Sequence, residues 1–203
     1  MGPEEFLQLI GQGKRIACFG SRETPGWVSS NPNGTGSQPI GPLRLMIHLG
    51  KLITEVGSVV QSGHADGADL AFEFGANLGD PRNMVVCLPW RSYNSQYSPG
   101  EAQVFVIGEL LDSHQAYYMA EAEKYHPAWK HLKQPVRLLM ARNMMIANEA
   151  SCGLTYLNHS RQGGGGSGHA YRALTARGVP VVDFSSPEIF LQWEKYFLKG
   201  ETE

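Results

Sequence analysis

Apolar residues recur along this chain in two patterns, short uninterrupted runs and helical spacing, and the two patterns alternate. Short apolar runs are typical of strands buried on both faces of a sheet, and they occur at residues 16–19, 58–62, 83–88, 152–157 and 179–183. Helical spacing is found at residues 3–11, 43–56, 70–78, 113–125, 134–150, 170–177 and 187–198. This alternation predicts an α/β fold with a mainly parallel sheet and helices on both faces.

The spacing within the helical segments indicates which side chains face the core. Phe6, Leu7 and Ile10 share one side of the first helix. The inward positions predicted for segments 43–56 and 134–150 are Leu45, Leu49, Leu52, Ile53, Val56, Val136, Leu139, Met140, Met144 and Ile146. Ser113 is placed to cap the helix predicted at 113–125.

Two segments interrupt the alternation within what we predict to be a single domain, residues 1–203. Residues 24–42 are rich in glycine and proline, which predicts a loop insertion without helix or strand. A loop of this length is either functional, here a lid with Trp27 as a stacking group, or disordered. Residues 90–134 predict a partly helical insertion whose aromatic residues are candidates for a pocket wall, and residues 104–111 fit strand and helix equally well.

Composition narrows the class of protein. The chain has a formal net charge of −2 and no basic tail, which argues against non-specific nucleic-acid binding. The three cysteines, Cys18, Cys87 and Cys152, each lie in a predicted strand and are expected to be reduced core residues. No Cys/His cluster has zinc spacing, so we predict no metal site and no cofactor. The sequence shows no signal peptide or transmembrane segment, which predicts a cytoplasmic protein without a membrane partner.

The most distinctive stretch, residues 162–169, contains four consecutive glycines between a predicted strand and a predicted helix. A turn without Cβ atoms lets backbone approach a ligand closely, and the following helix directs its free N–H groups at that ligand. Such an arrangement suits a phosphate. The phosphate-binding candidates are Gly163, Gly164, Gly165, Gly166 and Ser167. The alternative is a flexible Gly/Ser linker.

Two other predicted strands end in small and polar residues, where open α/β sheets bind ligands. Gly20, Ser21 and Arg22 follow the first strand, and Arg22 offers a planar cation for a phosphate or carboxylate. The second strand runs into a turn at 62–69 that contributes Ser62, Gly63, Gly67 and Asp69.

The carboxylates of this second turn admit several roles. Asp66 is expected to cap the following helix. Asp69 either accepts ribose hydroxyls or favours the helix dipole, and Glu73, one turn further, is expected to face solvent. Arg142 and Asn143 add a cation and an amide within the helix predicted at 134–150.

In this order, Gly20-Ser21-Arg22, the 62–69 turn, Arg142-Asn143 and the glycine-rich turn resemble the Rossmann-like SLOG superfamily. Its members include the DNA-processing protein A family with its short phage-type relatives, the YspA/YpsA-like proteins and the "lonely guy" phosphoribohydrolases. The resemblance covers most of residues 15–88 and 135–184. It implies a Rossmann-like three-layer sandwich, a nucleotide- or phosphate-binding crevice formed by these motifs, and association into a homodimer.

The chain departs from the phosphoribohydrolases in its sequence, and its net charge of −2 departs from the basic surface with which the DNA-processing family binds single-stranded DNA. Where the phosphoribohydrolases carry a catalytic glutamate, this sequence has Ala170, and the only carboxylates left to propose are Asp69, Glu73 and Glu149. Three functions therefore stay open. The first is binding of a nucleotide or nucleotide-derived ligand, the second is N-glycosidic hydrolysis or transfer with Asp69 as catalytic residue, and the third is mediation of recombination through single-stranded DNA.

Overall fold

The computed structural model describes residues 1–25, 27–29, 37–159 and 165–198, without the side chains of residues 27–29 and 37–39. Six parallel strands form the main sheet: β1 (Arg15–Gly20), β4 (Val59–Ser62), β5 (Met84–Leu88), β6 (Gln103–Val106), β7 (Ala150–Tyr156) and β8 (Val181–Asp183). Two short strands, β2 (Trp27–Ser29) and β3 (Ser37–Pro39), pair antiparallel as a separate hairpin.

Helices cover both faces of the main sheet. The described residues form α1 (Pro3–Leu9), α2 (Gly41–Glu55), α3 (Ala68–Leu78), α4 (Asp112–Lys124), α5 (Gln134–Ile146), α6 (Gly165–Ala176) and α7 (Pro187–Phe197). Short 3₁₀ turns lie at Pro81–Asn83, Ile107–Glu109 and Trp129–His131. The structure confirms the predicted α/β class and its Rossmann-like three-layer sandwich.

Alternation along the strands divides the core into two layers. Ile16 and Cys18 of β1 point into the cluster formed with α1, α2, α3 and α7. Ala17 and Phe19 point to the opposite side, into the cluster formed with α5 and α6. Both faces of β1 are thus buried, which explains why the predicted strands read as continuous apolar runs.

The strand order is β6-β5-β4-β1-β7-β8. The chain leaves β1 toward β4, continues outward to β6, and then returns to the other side of β1 to form β7. The direction of sheet growth therefore reverses between β1 and β7. In open α/β sheets, such a switch point opens a crevice at the carboxyl ends of the strands.

Several predicted boundaries and inward positions are wrong. Leu7 was predicted to face the core but is 38% exposed. Val56 is 39% exposed, and it follows the last residue of α2 instead of lying within the helix. Ser113 does not cap α4, whose preceding residue is Leu111 and which has no side-chain cap. The helix predicted to reach residue 150 ends at Ile146, so β7 begins two residues earlier than expected.

The two predicted insertions contain sheet structure. The 24–42 segment is not free of strands, since the hairpin of β2 and β3 lies within it. The Trp27 side chain lies outside the described residues. In the 90–134 segment, residues 103–106 pair with β5 as the edge strand β6, and α4 packs against α5. This segment therefore extends the sheet and its helical layer.

The three cysteines are buried and unpaired, as expected for core residues. Within the described ranges, none of the helices has both the length and the apolar character needed to cross a membrane.

Candidate ligand-binding site

A cleft of about 250 Å³ opens at the switch point, at the carboxyl ends of β1 and β7. Its described lining comes from the end of β1 and the residues after it, the turn before α3, the first turns of α3 and α6, the middle of α5 and the residue two past β7. These residues are Phe19, Gly20, Ser21, Arg22, Glu23, Ala65, Asp69, Leu139, Met140, Arg142, Asn143, Asn158, Gly165, Gly166 and Ser167. The structure thus brings together residues of four segments that were predicted separately from the sequence: the Gly20–Arg22 segment, the 62–69 turn, the Arg142-Asn143 pair and the glycine-rich turn.

Asp69 is the buried centre of this cleft. Its Oδ1 accepts a hydrogen bond from the Gly20 N–H at 3.0 Å, and its Oδ2 accepts one from the Ala65 N–H at 3.4 Å. The guanidinium of Arg142 donates to the same Oδ2 at 3.4 Å. Since Asp69 is only 2% exposed, its carboxylate mainly joins β1, the turn before α3, and α5.

Burial is the main influence on the protonation of Asp69. It raises the pKa to about 6, and the neighbouring Glu73 charge acts in the same direction. The Arg142 charge and the two backbone N–H groups lower the pKa and only partly offset burial. The Asp69 carboxyl therefore changes between its protonated and ionised forms near pH 6.

Arg142 is a cation held inside the protein at the cleft wall. The residue is 6% exposed, and its Nε is buried without a hydrogen-bond partner among the described residues. Its ion pair with Asp69 is long, at 3.4 Å. A buried guanidinium with an unsatisfied N–H is costly, so the site favours an incoming acceptor.

Tyr93, from the segment between β5 and β6, links Arg142 to Arg22. The Arg142 guanidinium carbon lies 5.6 Å from the Tyr93 ring centroid, and that of Arg22 lies 6.0 Å away. Arg22 Nη2 also donates to the Tyr93 hydroxyl at 2.7 Å. Aromatic residues of the 90–134 segment were candidates for a pocket wall, but none of them is among the described lining residues, and Tyr93 contacts the two arginines instead.

The start of α6 forms another side of the cleft. A glycine-rich turn was predicted at 162–169 before a helix from 170, but the helix already begins at Gly165. Gly165, Gly166 and Ser167 line the cleft as the first turn of α6, whose N–H groups have no partner within the helix. Asn143 Nδ2 donates to the Gly166 carbonyl at 2.9 Å and ties α6 to α5. Gly163 and Gly164 lie outside the described residues.

Three predicted site residues lie behind the cleft instead of lining it. Ser62 is fully buried, and its hydroxyl donates to the Asp69 carbonyl at 3.5 Å. Gly63 lies against the Arg142 guanidinium, and Gly67, with a φ of 78°, lies against the Ser21 carbonyl. A Cβ built on Gly67 would stand 2.4 Å from that carbonyl oxygen. The position therefore requires glycine both because its φ is positive and because a Cβ would clash.

Glu73 was expected to face solvent, and that prediction is wrong. The residue is 3% exposed because its carboxylate binds the 63–67 turn: it accepts from the His64 N–H at 2.9 Å and contacts His64 Nδ1 at 2.5 Å. Asp66 does not cap α3, which starts after Gly67, and instead accepts from Asn94 Nδ2 at 3.3 Å. The i, i+4 spacing of Asp69 and Glu73 was a signal that both carboxylates share one face of α3.

His64 lies between two acceptors. Its Nδ1 faces the Glu73 carboxylate, and its Nε2 lies 3.2 Å from the Tyr97 carbonyl. Burial alone would lower the pKa of His64, but the hydrogen bond to Glu73 and the charge of Glu73 outweigh it and raise the pKa above the ordinary value. An imidazolium can donate from both nitrogens, so the surroundings fit the charged form.

Two polar residues at the rim of the cleft were not identified from the sequence. Glu23 follows Arg22 directly, and Asn158 lies just beyond the end of β7. Asn158 Nδ2 donates to Glu23 Oε2 at 2.8 Å, so the pair bridges the switch point. The position of Asn158 at the carboxyl end of a predicted strand was the signal that could have found it.

The remaining candidate carboxylate, Glu149, lies far from the cleft in the fold, just before the first residue of β7 and 3.5 Å from Arg15. The described residues hold no group of three or more histidine, cysteine, aspartate or glutamate side chains that would bind a metal ion. Comparison with known proteins finds no matching family model, no similar characterised protein and no similar solved structure.

Proposed function

We propose that this protein binds a nucleotide or a nucleotide-derived anion in the cleft between β1 and β7. The observation that carries the proposal is Arg142, a buried cation with an unpartnered Nε at a cleft that the start of α6 also lines. A guanidinium and free backbone N–H groups both favour a phosphate, and both line the same cleft.

The proposal assigns the phosphate to the space between Arg142 and the first turn of α6. Arg22, which is exposed and held by Tyr93, supplies a second positive charge at the entrance. The cleft volume of about 250 Å³ lies just below the range of roughly 300–1,000 Å³ typical of small-molecule sites, which favours a mononucleotide over a dinucleotide.

The same arrangement supports our proposal that the chain is a SLOG-type protein. The four motifs behind that resemblance come from distant parts of the chain, and residues from each of them surround one cleft. The glycines of the 62–69 turn support this cleft from behind, at Arg142 and at the Ser21 carbonyl.

Calorimetry and thermal unfolding with nucleoside mono-, di- and cyclic phosphates test the binding function. A nucleotide at about 100 times its Kd is expected to stabilise the protein by about 2.7 kcal/mol. Arg142→Lys keeps the charge but loses the planar donor fork, and we expect it to weaken binding at least about tenfold. Arg137→Lys is the matched control, because Arg137 lies on the same helix but contacts the Trp129 ring and the Lys130 carbonyl.

Two results would contradict the binding function. One is the absence of stabilisation by every nucleotide, and the other is an equal loss of affinity in Arg142→Lys and Arg137→Lys. If single-stranded DNA binds instead, its affinity will fall steeply between about 50 and about 200 mM salt, which separates the DNA-mediator function from nucleotide binding.

The raised pKa of Asp69, at the cleft, is the observation that favours an enzyme as the second candidate. An N-glycosidic hydrolase or transferase needs a carboxylate beside the ribose to stabilise the developing positive charge. Asp69 is the one carboxylate of the three proposed from the sequence that lines the cleft. Release of free base from a bound nucleotide, abolished by Asp69→Asn, would establish this activity. Recovery of the nucleotide intact after prolonged incubation would exclude it for that nucleotide.

A further inference from the structure

The lining of the cleft is not uniformly cationic. Arg142 and the start of α6 form one part, whereas the Glu23 carboxylate and the Asn158 amide belong to the rim. A carboxylate repels a phosphate and attracts hydroxyl or amine donors. The cleft therefore presents a site for an anion together with a site for hydrogen-bond donors.

Glu23 is held in place by the backbone around it. The Ser21 N–H donates to the Tyr156 carbonyl at 2.8 Å, which fixes the chain after β1 to the end of β7. The Ser21 hydroxyl then accepts from the Glu23 N–H at 3.0 Å. Together with the hydrogen bond from Asn158, these contacts position the carboxylate across the switch point.

Asp69 is the other carboxylate among the described lining residues, and accepting ribose hydroxyls is one of the two roles predicted for it from the sequence. In the structure its two oxygens already receive hydrogen bonds from Gly20, Ala65 and Arg142, and the residue is 2% exposed. Moving those donors would leave a buried carboxylate without its partners, at a large energetic cost. The exposed Glu23 is better placed to meet the hydroxyls of a ligand.

We propose that Glu23 and Asn158 recognise the hydroxyl groups of a sugar phosphate, so that the ligand of this cleft is a ribose-bearing phosphate and not a simple anion. A carboxylate accepts hydrogen bonds from hydroxyls, and an amide both donates and accepts. The pair thus suits a ribose whose phosphate lies against Arg142 and α6. This proposal rests on the proposed anion-binding function and adds the part of the ligand that is recognised.

Calorimetry with inorganic phosphate, ribose 5-phosphate and its 1,2-dideoxy analogue tests the proposal in the wild-type protein and in Glu23→Gln. We expect wild type to bind ribose 5-phosphate at least about tenfold more tightly than either other ligand, since a hydrogen bond to a charged group contributes about that factor. Glu23→Gln preserves an acceptor for Asn158 but removes the charge. We expect it to lose most of that preference while its affinity for inorganic phosphate stays the same or rises.

Two further variants, Asn158→Asp and Asn158→Ala, are measured in the same way, together with the melting temperature of every variant. These data show whether Glu23 and Asn158 recognise the ligand or only hold two segments of the chain together. If Glu23 only ties the chain after β1 to the chain after β7, Glu23→Gln will weaken all three ligands equally, and the proposal is overturned. It is also overturned if wild type binds inorganic phosphate and ribose 5-phosphate with equal affinity, although the anion-binding function would then stand. Failure of wild type to bind any phosphate would reject both proposals together.

Discussion

Gly63 lies directly against the guanidinium of Arg142. A Cβ built on Gly63 would stand 1.4 Å from Arg142 Nη1 and 2.9 Å from Asp69 Oδ2. No side chain fits there unless the Arg142–Asp69 pair moves. The glycine that follows β4 therefore places the cation of the cleft, although it does not itself line the cleft.

We expect Gly63→Ala to push Arg142 away from Asp69 and weaken anion binding about tenfold or more. Because the site is tightly packed, the substitution should also lower the free energy of unfolding by about 1–3 kcal/mol. Calorimetry and urea unfolding measure the two effects. Gly108→Ala is the control, since the nearest atom to its added Cβ, the Pro89 carbonyl oxygen, lies at 3.6 Å. Unchanged affinity in Gly63→Ala would show that the position of Arg142 does not determine binding.

The stability of the fold should depend on the proton of Asp69. Because burial raises its folded-state pKa from 3.8 to about 6, the folded protein holds this proton more tightly than the unfolded chain does. The contribution of Asp69 to stability is therefore full below about pH 3.8 and is lost as the pH rises through about 6. The size of the loss is on the order of 2–3 kcal/mol.

Asp69→Asn isolates this titration. Its amide cannot ionise, so the difference in free energy of unfolding between wild type and variant should change between about pH 4 and about pH 7, with wild type losing more. Urea unfolding across that range measures the difference. A constant difference would mean that the pKa of Asp69 is the same in the folded and unfolded states.

The sheet could be predicted from the sequence where its strands are buried on both faces. The runs at β1 and β5 can be recognised without knowing their neighbours, since a strand buried on both faces is apolar almost throughout. The segment that forms β6 fitted strand and helix equally well, because β6 lies at one edge of the sheet and two of its four residues are exposed. The hairpin of β2 and β3 was missed because glycine and proline content predicts turns well but says nothing about the few residues between them.

The candidate site was predictable where a motif lies at the end of a strand, and not where it depends on distant contacts. Arg22, Asp69 and Arg142 were all identified locally, and all three line the cleft. Tyr93 was not singled out, because its contacts with Arg22 and Arg142 join residues 71 and 49 positions apart. No spacing rule within one helix or strand reports such a pair.

The pKa values of two buried histidines should be shifted in opposite directions. Hydrogen bonding to Glu73 and the charge of that residue outweigh burial and raise the pKa of His64, whereas burial lowers the pKa of His169 to about 4. His64 thus contributes stability that is present below its ordinary pKa of 6.5 and lost as the pH rises through its higher folded value. The cost of charging His169 appears as the pH falls from 6.5 toward 4.

NMR titration of the imidazole protons measures both values, with His64→Gln and His169→Gln to assign the signals. Glu73→Gln keeps an acceptor for His64 Nδ1 but removes the charge, so the pKa of His64 should fall in that variant while that of His169 is unchanged. If His64 titrated at or below 6.5 in wild type, the buried pair with Glu73 would not be an ion pair.

Tyr93→Phe tests whether the hydroxyl of Tyr93 positions Arg22 for binding. The variant keeps the ring beside both guanidinium groups but loses the acceptor that lies 2.7 Å from Arg22 Nη2. Since Arg22 is exposed, we expect a change of less than about 1 kcal/mol in the free energy of unfolding. We expect nucleotide affinity to fall about threefold to tenfold, because Arg22 must then be ordered by the ligand itself.

Tyr97→Phe is the matched control, because the Tyr97 contact that holds His64 is made by its carbonyl and not by its hydroxyl. Its nucleotide affinity should equal that of wild type. Equal losses in both variants would indicate a general loosening of the segment between β5 and β6. A loss confined to Tyr93→Phe, and abolished when Arg22 is already replaced by alanine, would show that the hydroxyl acts through Arg22, since coupled residues are not additive in a double-mutant cycle.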